Sequence, residues 1–278
     1  MSTIALGKLN NLQQRLLAGI AGSAIILTAL YQGESGFGFV FIFLALSFLC
    51  QYEFYRLVKE AASPNRLPGL IIGMANFIFA VGVVAGFVEL KWMLLNFLSL
   101  PLLMIWELYR KKKHPFVNVS MTLLGFVYAS LPFTLLVFAV YAGGKYEPGL
   151  PMGLFLILWA NDTGAFAAGK TMGKRKLFER ISPNKTWEGF FGGLILACVF
   201  GYLSSYLFPN IATVDWFVIS IIVVVAGTLG DLIESLFKRS IKIKDSGSVI
   251  PGHGGFLDRF DGLLIALPIV VMYMLLFR

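Results

Sequence analysis

Acidic and basic side chains gather on two short stretches that flank a glycine-rich loop near the end of the chain. The stretch GDLIESLFKRS spaces Asp231, Glu234 and Lys238 so that a helix carries them on one face. The stretch FLDRFDG likewise places Asp258 and Asp261 on one face of a first helical turn. Mg²⁺ needs only one or two protein carboxylates when water and substrate phosphates complete its shell. The two helix ends therefore predict a magnesium cage, and the nearby cations suit a phosphate-bearing substrate.

The loop between these two stretches, IKIKDSGSVIPGHGG, contains Pro251 and four glycines that allow a sharp reversal of the chain. The second stretch opens a helix, and the first backbone N–H groups of a helix have no partner within it. Gly254 and Gly255 leave those groups uncovered, so we expect them to point toward an anion.

A third polar stretch, ANDTGAFAAGKTMGKRKLFERISPNKTWEG, begins where an apolar run ends at Asp162. Ser182 and Thr186 are candidate N-caps for the helix that follows it. The cations of this stretch should make a positive mouth that attracts a polyanionic substrate; they are Lys170, Lys174, Arg175, Arg180 and Lys185.

Within this stretch, GAFAAGKT matches the pattern G-x-x-x-x-G-K-[ST] of nucleotide-binding phosphate loops. Such a loop needs a buried strand before it and a helix after it, in a soluble sheet. Here the upstream residues GLFLILWANDT read as a membrane span and the downstream residues MGKRKLF as a basic interfacial segment. The match is therefore interpreted as a chance one, with Lys170 offering a point charge to a phosphate.

Composition places the chain in a membrane. It has 278 residues, of which 58% are hydrophobic and 14% charged, whereas a soluble domain has roughly 45–50% apolar and 25% charged residues. Apolar runs of about 17–25 residues can cross a bilayer. We predict an all-α polytopic integral membrane protein with about nine transmembrane helices, at residues 16–31, 36–52, 68–88, 90–106, 119–142, 149–169, 189–208, 214–235 and 260–277.

The positive charges divide unevenly between the loops of this nine-span topology. Twenty of the 23 Lys and Arg residues fall on one side, and only Lys91, Lys145 and Arg278 fall on the other. The positive-inside rule therefore predicts a cytoplasmic N-terminus and an external C-terminus in the cell (inner) membrane. Topology and anionic headgroups account for most of the net charge of +8, so no nucleic-acid partner is expected.

Polar groups concentrate in the second half of the chain. Residues 1–150 carry almost no polar group inside an apolar run, whereas acids lie at or near span ends between residues 159 and 261. Acids within a membrane usually mark a functional site with a cationic partner. We interpret residues 1–150 as a scaffold of lipid-facing helices and residues 151–278 as the catalytic region.

The residues from Ser235 to Asp261, SLFKRSIKIKDSGSVIPGHGGFLDRFD, resemble the signature of phosphatidate cytidylyltransferases, also called CDP-diacylglycerol synthases, at all 27 positions. SPNKTWEG is similar to a second motif of that family, usually S-P-K-K-T-x-E-G, and departs from it at Asn184, where lysine is common. NDTGAFAAGK is similar to the family's Asp-rich start of the same loop. The first half resembles the family only in consisting of hydrophobic spans.

The resemblance implies transfer of CMP from CTP to phosphatidate, which gives CDP-diacylglycerol and pyrophosphate at a bilayer site open to the cytoplasm. It implies Mg²⁺ and a second cation, with Asp231 and Asp258 as metal ligands. A homodimer is left open. His253 is either a general acid for pyrophosphate or a hydrogen-bonding strut. The remaining implied residues are Lys185, Lys238 and Arg239 in catalysis, and Asp162, Lys170, Glu188, Lys244, Asp245, His253, Arg259 and Asp261 in substrate binding.

Two alternatives stay open at this point. A CTP-dependent enzyme acting on another lipid phosphate or lipid alcohol would need the same polar groups. A cation-coupled transporter also places acids within spans, but it predicts acids near the midplane and a path to both faces. Here the charges cluster at one face, which argues against a transporter. The CDP-alcohol phosphotransferases, another class of lipid enzyme, carry a D-G-x-x-A-R motif that this sequence lacks.

Overall fold

The computed structural model describes residues 11–31, 36–241, 243 and 255–278. Short 3-10 segments at Val58–Glu60 and Leu90–Leu98 and a π-helical turn at Phe126–Ser130 accompany the α-helices. The helices of these described residues are α1 (Asn11–Tyr31), α2 (Phe37–Leu57), α3 (Arg66–Val84), α4 (Ser99–Arg110), α5 (Pro115–Gly125), α6 (Leu131–Val140), α7 (Gly149–Met172), α8 (Trp187–Leu207), α9 (Thr213–Ser240) and α10 (Leu257–Phe277).

Every predicted span falls on a helical stretch. Eight stretches of the described chain are long and apolar enough to cross a membrane, and two of them, Leu90–Arg110 and Pro115–Val140, join neighbouring helical segments. The first predicted span, residues 16–31, lies in α1, within which the described stretch Gly22–Tyr31 is apolar but shorter than these eight. A polytopic helical membrane protein is thus confirmed, while the count of nine spans and the orientation stay predictions. Pro132, which has no N–H to donate, explains why regular α-helix is interrupted in the π-helical turn before α6.

Contacts between helix ends fit helices that alternate in direction. At one side of the bundle, Glu53 near the end of α2 accepts a hydrogen bond from the backbone N–H of Leu257 at the start of α10. At the opposite side, the Tyr146 hydroxyl between α6 and α7 donates to the carbonyl of Leu30 near the end of α1. These pairings agree with the predicted alternation of loops from one side to the other.

The polar stretch between α7 and α8 contains a hairpin that the sequence does not predict. Strands β1 (Lys176–Phe178) and β2 (Ser182–Thr186) pair antiparallel, with Lys176 opposite Thr186 and Phe178 opposite Ser182. Thr186 is confirmed as the N-cap of α8, because its Oγ1 accepts the N–H of Gly189 at 3.1 Å. Ser182 lies within β2, so its prediction as a cap is wrong. Lys185 of β2 therefore lies close to the start of α8.

The expectation that the first half lacks polar groups inside its apolar runs is wrong. Buried polar side chains lie in α2 and α3, and several of them make hydrogen bonds within a helix or between helices. Gln51 donates to the Tyr55 hydroxyl at 2.9 Å and to the Gly69 carbonyl at 2.8 Å, and Ser47 contacts Ser130 at 2.7 Å.

The two halves of the chain also pack together, since α10 lies against α6 and α2. The assignment of a scaffold half and a catalytic half stays a prediction.

Glycines let the helices that carry acids approach closely. A Cβ atom on Gly230 of α9 would lie 2.6 Å from the carbonyl oxygen of Asp261 and 2.9 Å from the Cα of Gly262, both on α10. Small residues commonly permit such backbone contact between membrane helices. The contact includes the Asp261 backbone on α10 and lies one residue before Asp231 on α9, so it places both acids at the same junction.

We predict that Gly230→Ala destabilises the α9–α10 junction, because the added methyl group must displace backbone and cannot be relieved by a rotamer change. Overpacking of this kind costs about 1–3 kcal/mol, so the apparent unfolding temperature in detergent should fall. Gly227→Ala is the matched control on the same helix, since its Cβ would lie 3.9 Å from the nearest atom, the Gly262 carbonyl oxygen. Equal unfolding temperatures for the two variants would contradict the tight junction.

Candidate active site

The end of α9 is joined to the start of α10 by one lysine shared between two acids. Lys238 Nζ lies 2.6 Å from Glu234 Oε2 and 2.7 Å from Asp258 Oδ1. The Lys238 side chain is 12% exposed and that of Glu234 only 2%, so the group is largely removed from water. Glu234 Oε1 is buried and accepts no hydrogen bond within the described part of the chain. The predicted acid-and-base face of α9 is therefore confirmed as a contact.

A second ion pair joins the hairpin to α9. Lys185 Nζ lies 2.5 Å from Asp231 Oδ2. The Asp231 side chain is 44% exposed, and its other oxygen receives only a long hydrogen bond of 3.4 Å from Ser235. This pair is therefore more open than the group around Lys238, and one Asp231 oxygen stays accessible to a ligand.

Two further predicted acids lie within electrostatic reach of this pair. Asp162 of α7 interacts with Asp231, Lys185 and Arg259. Asp261 of α10 interacts with Asp231 and Lys185, and its Oδ1 accepts the N–H of Gly262 at 2.7 Å. The structure thus brings carboxylates from α7, α9 and α10 around one lysine. Such an excess of carboxylate attracts cations.

The first turn of α10 is held by two carboxylates. Asp258 Oδ2 accepts the N–H of Gly255 at 3.0 Å, and Glu53 Oε2 accepts that of Leu257 at 2.8 Å. The Gly255 N–H therefore does point toward an anion, but that anion is the neighbouring Asp258. Gly254 lies outside the described residues. Sequence reasoning missed Glu53, whose only signal is an acid at the end of the apolar run that forms α2.

The structure describes four of the other predicted site residues. The Glu188 carboxylate accepts the backbone N–H groups of Lys174 and Arg175, so it ties the hairpin to α8. Lys170 lies 5.6 Å from the ring centre of Phe166 on its own helix and is exposed. Two more cations, Arg239 and Arg259, are exposed near the α9–α10 junction, while Lys244, Asp245 and His253 lie outside the described residues.

The phosphate-loop match is a chance one, as predicted. Residues 164–171 lie within the continuous helix α7, and the strands that do occur follow them rather than precede them. The backbone N–H groups of this stretch are therefore used in the helix and cannot cradle a phosphate.

Oxygen ligands of the right kind for Mg²⁺ are present, although the described residues do not form a complete metal cage. Within the described ranges, no group of three or more acid, histidine or cysteine side chains is placed to hold a metal ion. Asp231 offers an accessible oxygen, whereas both oxygens of Asp258 already accept hydrogen bonds. This arrangement fits an ion such as Mg²⁺ that takes few protein ligands and completes its octahedron with water and substrate phosphates.

Sequence comparison extends the resemblance to both halves of the chain. Residues 13–277 match the sequence model of the cytidylyltransferase family. The phosphatidate cytidylyltransferase of Bacillus subtilis strain 168 is 32% identical over 276 residues, which cover 96% of this chain and 99% of the relative. That of Staphylococcus epidermidis is 34% identical over 266 residues, covering 92% and 96%. That of Staphylococcus saprophyticus is 32% identical over 261 residues, again covering 92% and 96%. The chain belongs to the cytidylyltransferase family.

Proposed function

We propose that this membrane protein transfers CMP from CTP to phosphatidate and releases CDP-diacylglycerol and pyrophosphate in phospholipid biosynthesis. The family and the names of its relatives support the reaction. The structural observation that carries it is the convergence of acids from α7, α9 and α10 on lysines of β2 and α9. A site for two phosphate-bearing substrates and a cation needs both kinds of charge.

The chemistry requires no nucleophilic side chain. A phosphate oxygen of phosphatidate attacks the α-phosphorus of CTP, and the bond from that phosphorus to the bridging oxygen of the β-phosphate breaks. Pyrophosphate leaves with the electron pair. Catalysis then consists of bringing two anions together in line and neutralising the charge that develops on the leaving group.

Lys185 and Lys238 are the residues that bring positive charge to the reacting phosphates. In the structure each is paired with an acid, Lys185 with Asp231 and Lys238 with both Glu234 and Asp258. Substrate phosphates replace some of these carboxylates as partners of the lysines. Arg239 and Arg259, exposed beside the junction, hold outer phosphate oxygens.

Asp231 and Asp258 are the residues that hold Mg²⁺, with Asp162 and Asp261 orienting a second cation and the lysines. Bound there, Mg²⁺ supplies charge neutralisation on the α-phosphoryl group and on pyrophosphate. The accessible oxygen of Asp231 fits this role directly. Asp258 would contribute its Oδ1, the oxygen that accepts a hydrogen bond from Lys238 in the structure.

The site opens to the cytoplasm, where CTP is dissolved, and lies in the inner membrane, where phosphatidate resides. Basic residues at the ends of α2 and α4 and the start of α3 support this orientation. They line a cavity of about 340 Å³ together with Ser63 and Pro64; these residues are Lys59, Arg66, Arg110 and Lys112. The positive-inside rule assigns such a surface to the cytoplasmic side. A homodimer stays a prediction of the sequence.

Purified protein incubated with labelled CTP, phosphatidate and Mg²⁺ should form labelled CDP-diacylglycerol, and omission of either phosphatidate or Mg²⁺ should stop it. We expect Asp231→Asn and Asp258→Asn each to lower turnover by about 10³-fold or more, several kcal/mol of transition-state stabilisation, because each removes a charge that few neighbours can replace.

The matched control is Asp215→Asn at the opposite end of α9. Asp215 is a buried acid that bonds to Tyr273 and Arg278, far along the helix from Asp231. It should keep near-normal turnover in the folded protein. Near-normal turnover in Asp231→Asn or Asp258→Asn at ordinary Mg²⁺ would exclude that residue as a ligand. No product from the wild-type protein would exclude the reaction itself.

Labelling of introduced cysteines tests the orientation. In a variant with Cys50 and Cys198 replaced by alanine, Gly144→Cys should react with an impermeant reagent from outside intact cells. Lys112→Cys should react only after the membrane is permeabilised. Its loop belongs to the side that holds 20 of the 23 Lys and Arg residues, and the positive-inside rule predicts that this side is cytoplasmic. Both positions are exposed in the structure. Labelling of both from the same side is incompatible with the nine-span, N-in topology.

A further inference from the structure

The first turn of α10 receives its cap from another helix. Phe256, at the N-cap position, makes no side-chain hydrogen bond to the helix. The first N–H groups of any helix need an outside partner, and Glu53 of α2 supplies one by accepting the Leu257 N–H at 2.8 Å. The two residues are 204 positions apart in sequence, so this contact joins the first half of the chain to the helix that carries Asp258 and Asp261.

Glu53 is a buried acid that has no cationic partner among the described residues. Its residue is 1% exposed, and none of the ion pairs among the described residues includes it. A buried carboxylate is costly unless hydrogen bonds or opposite charge stabilise it. The positive end of the α10 dipole supplies that stabilisation, since an acid at a helix N-terminus is favoured. One oxygen, Oε1, accepts no hydrogen bond within the described ranges.

The helix that carries Glu53 is itself firmly held. Tyr55, two residues along α2, is fully buried and donates its hydroxyl to the Thr122 carbonyl at 2.6 Å. Gln51, two residues before Glu53, is fully buried and bonds to Tyr55 and Gly69. Because these contacts hold α2 in place, Glu53 has a fixed position relative to α10. A residue that positions another element needs such a fixed position.

We propose that Glu53 is a positioning residue of the active site: it fixes the first turn of α10 and thereby the direction of the Asp258 carboxylate. This inference rests on the function proposed above. Asp258 follows Leu257 directly, and its two oxygens contact Gly255 and Lys238. Loss of the Leu257 anchor frees the turn in which both contacts are made. The Asp258 carboxylate then samples orientations in which it cannot hold a cation beside Asp231.

Two substitutions separate the hydrogen bond from the charge. Glu53→Ala removes both, whereas Glu53→Gln keeps a carbonyl acceptor and removes only the charge. Glu107→Ala and Glu107→Gln are the matched controls. Glu107 is also a buried acid of the first half, but it bonds to Asn65, Asn118 and Arg110 rather than to α10.

The first measurement is hydrogen–deuterium exchange of the 255–262 segment, followed by mass spectrometry without substrate. We expect faster exchange in Glu53→Ala, a smaller increase in Glu53→Gln, and wild-type exchange in both Glu107 variants. The second is the Mg²⁺ concentration that gives half-maximal turnover at saturating CTP. It should rise by at least about 10-fold in Glu53→Ala, as loss of an outer partner of a metal ligand commonly does, and by less in Glu53→Gln.

Exchange and Mg²⁺ dependence that match between the Glu53 and Glu107 variants would overturn the proposal. If Glu53→Ala does not fold, the comparison of Glu53→Gln with Glu107→Gln decides by the same two measurements. Absence of turnover in the wild-type protein counts against the proposed function alone, because the exchange measurement needs no activity. Normal wild-type turnover with unchanged Glu53 variants counts against the positioning role alone.

Discussion

The ammonium group of Lys238, shared between Glu234 and Asp258, is the interaction on which the arrangement of the site depends. A buried ion pair contributes little to stability, because the desolvation of its charges offsets their attraction, and apolar residues of similar volume often serve as well. Its value here is geometric. It fixes the end of α9 to the start of α10, and the bare backbone at Gly230 lets the two helices come close enough for the contact to form.

The second ion pair is built differently, and the difference has chemical consequences. Lys185 comes from the hairpin that precedes α8, and its partner Asp231 is nearly half exposed, so this pair exchanges partners at lower cost than the Lys238 group does. The exposed Lys185–Asp231 pair can therefore bind a polyanion, while the buried Lys238 group keeps α9 and α10 in place. Such a site suits a reaction between a dissolved nucleotide and a lipid, which must meet at the surface of the bilayer.

Hydrophobic length and local spacing allowed much of this structure to be predicted. A bilayer span needs about 20 apolar residues whatever packs beside it, and residues four apart on a helix are neighbours, so Glu234 and Lys238 could be paired from sequence. The hairpin could not be predicted, because β1 has three residues and neither strand alternates apolar with polar side chains. The contact of Glu53 could not be predicted either, because its partner is a backbone N–H group 204 residues away, and no sequence pattern identifies such a partner.

The buried polar groups of α2 change the role that the first half can have. Helices that only face lipid need no buried glutamine or glutamate, and each such group is costly in a bilayer unless it is satisfied. The Gln51 amide donates to the Tyr55 hydroxyl and to a carbonyl of α3, and the Tyr55 hydroxyl donates to a carbonyl of α5, which fixes α2. Among the described polar contacts of α2, that of Glu53 alone reaches the second half. A helix fixed by one set of polar contacts and extending a single carboxylate to α10 acts as a support for the site as well as a span, so the two halves form one functional unit.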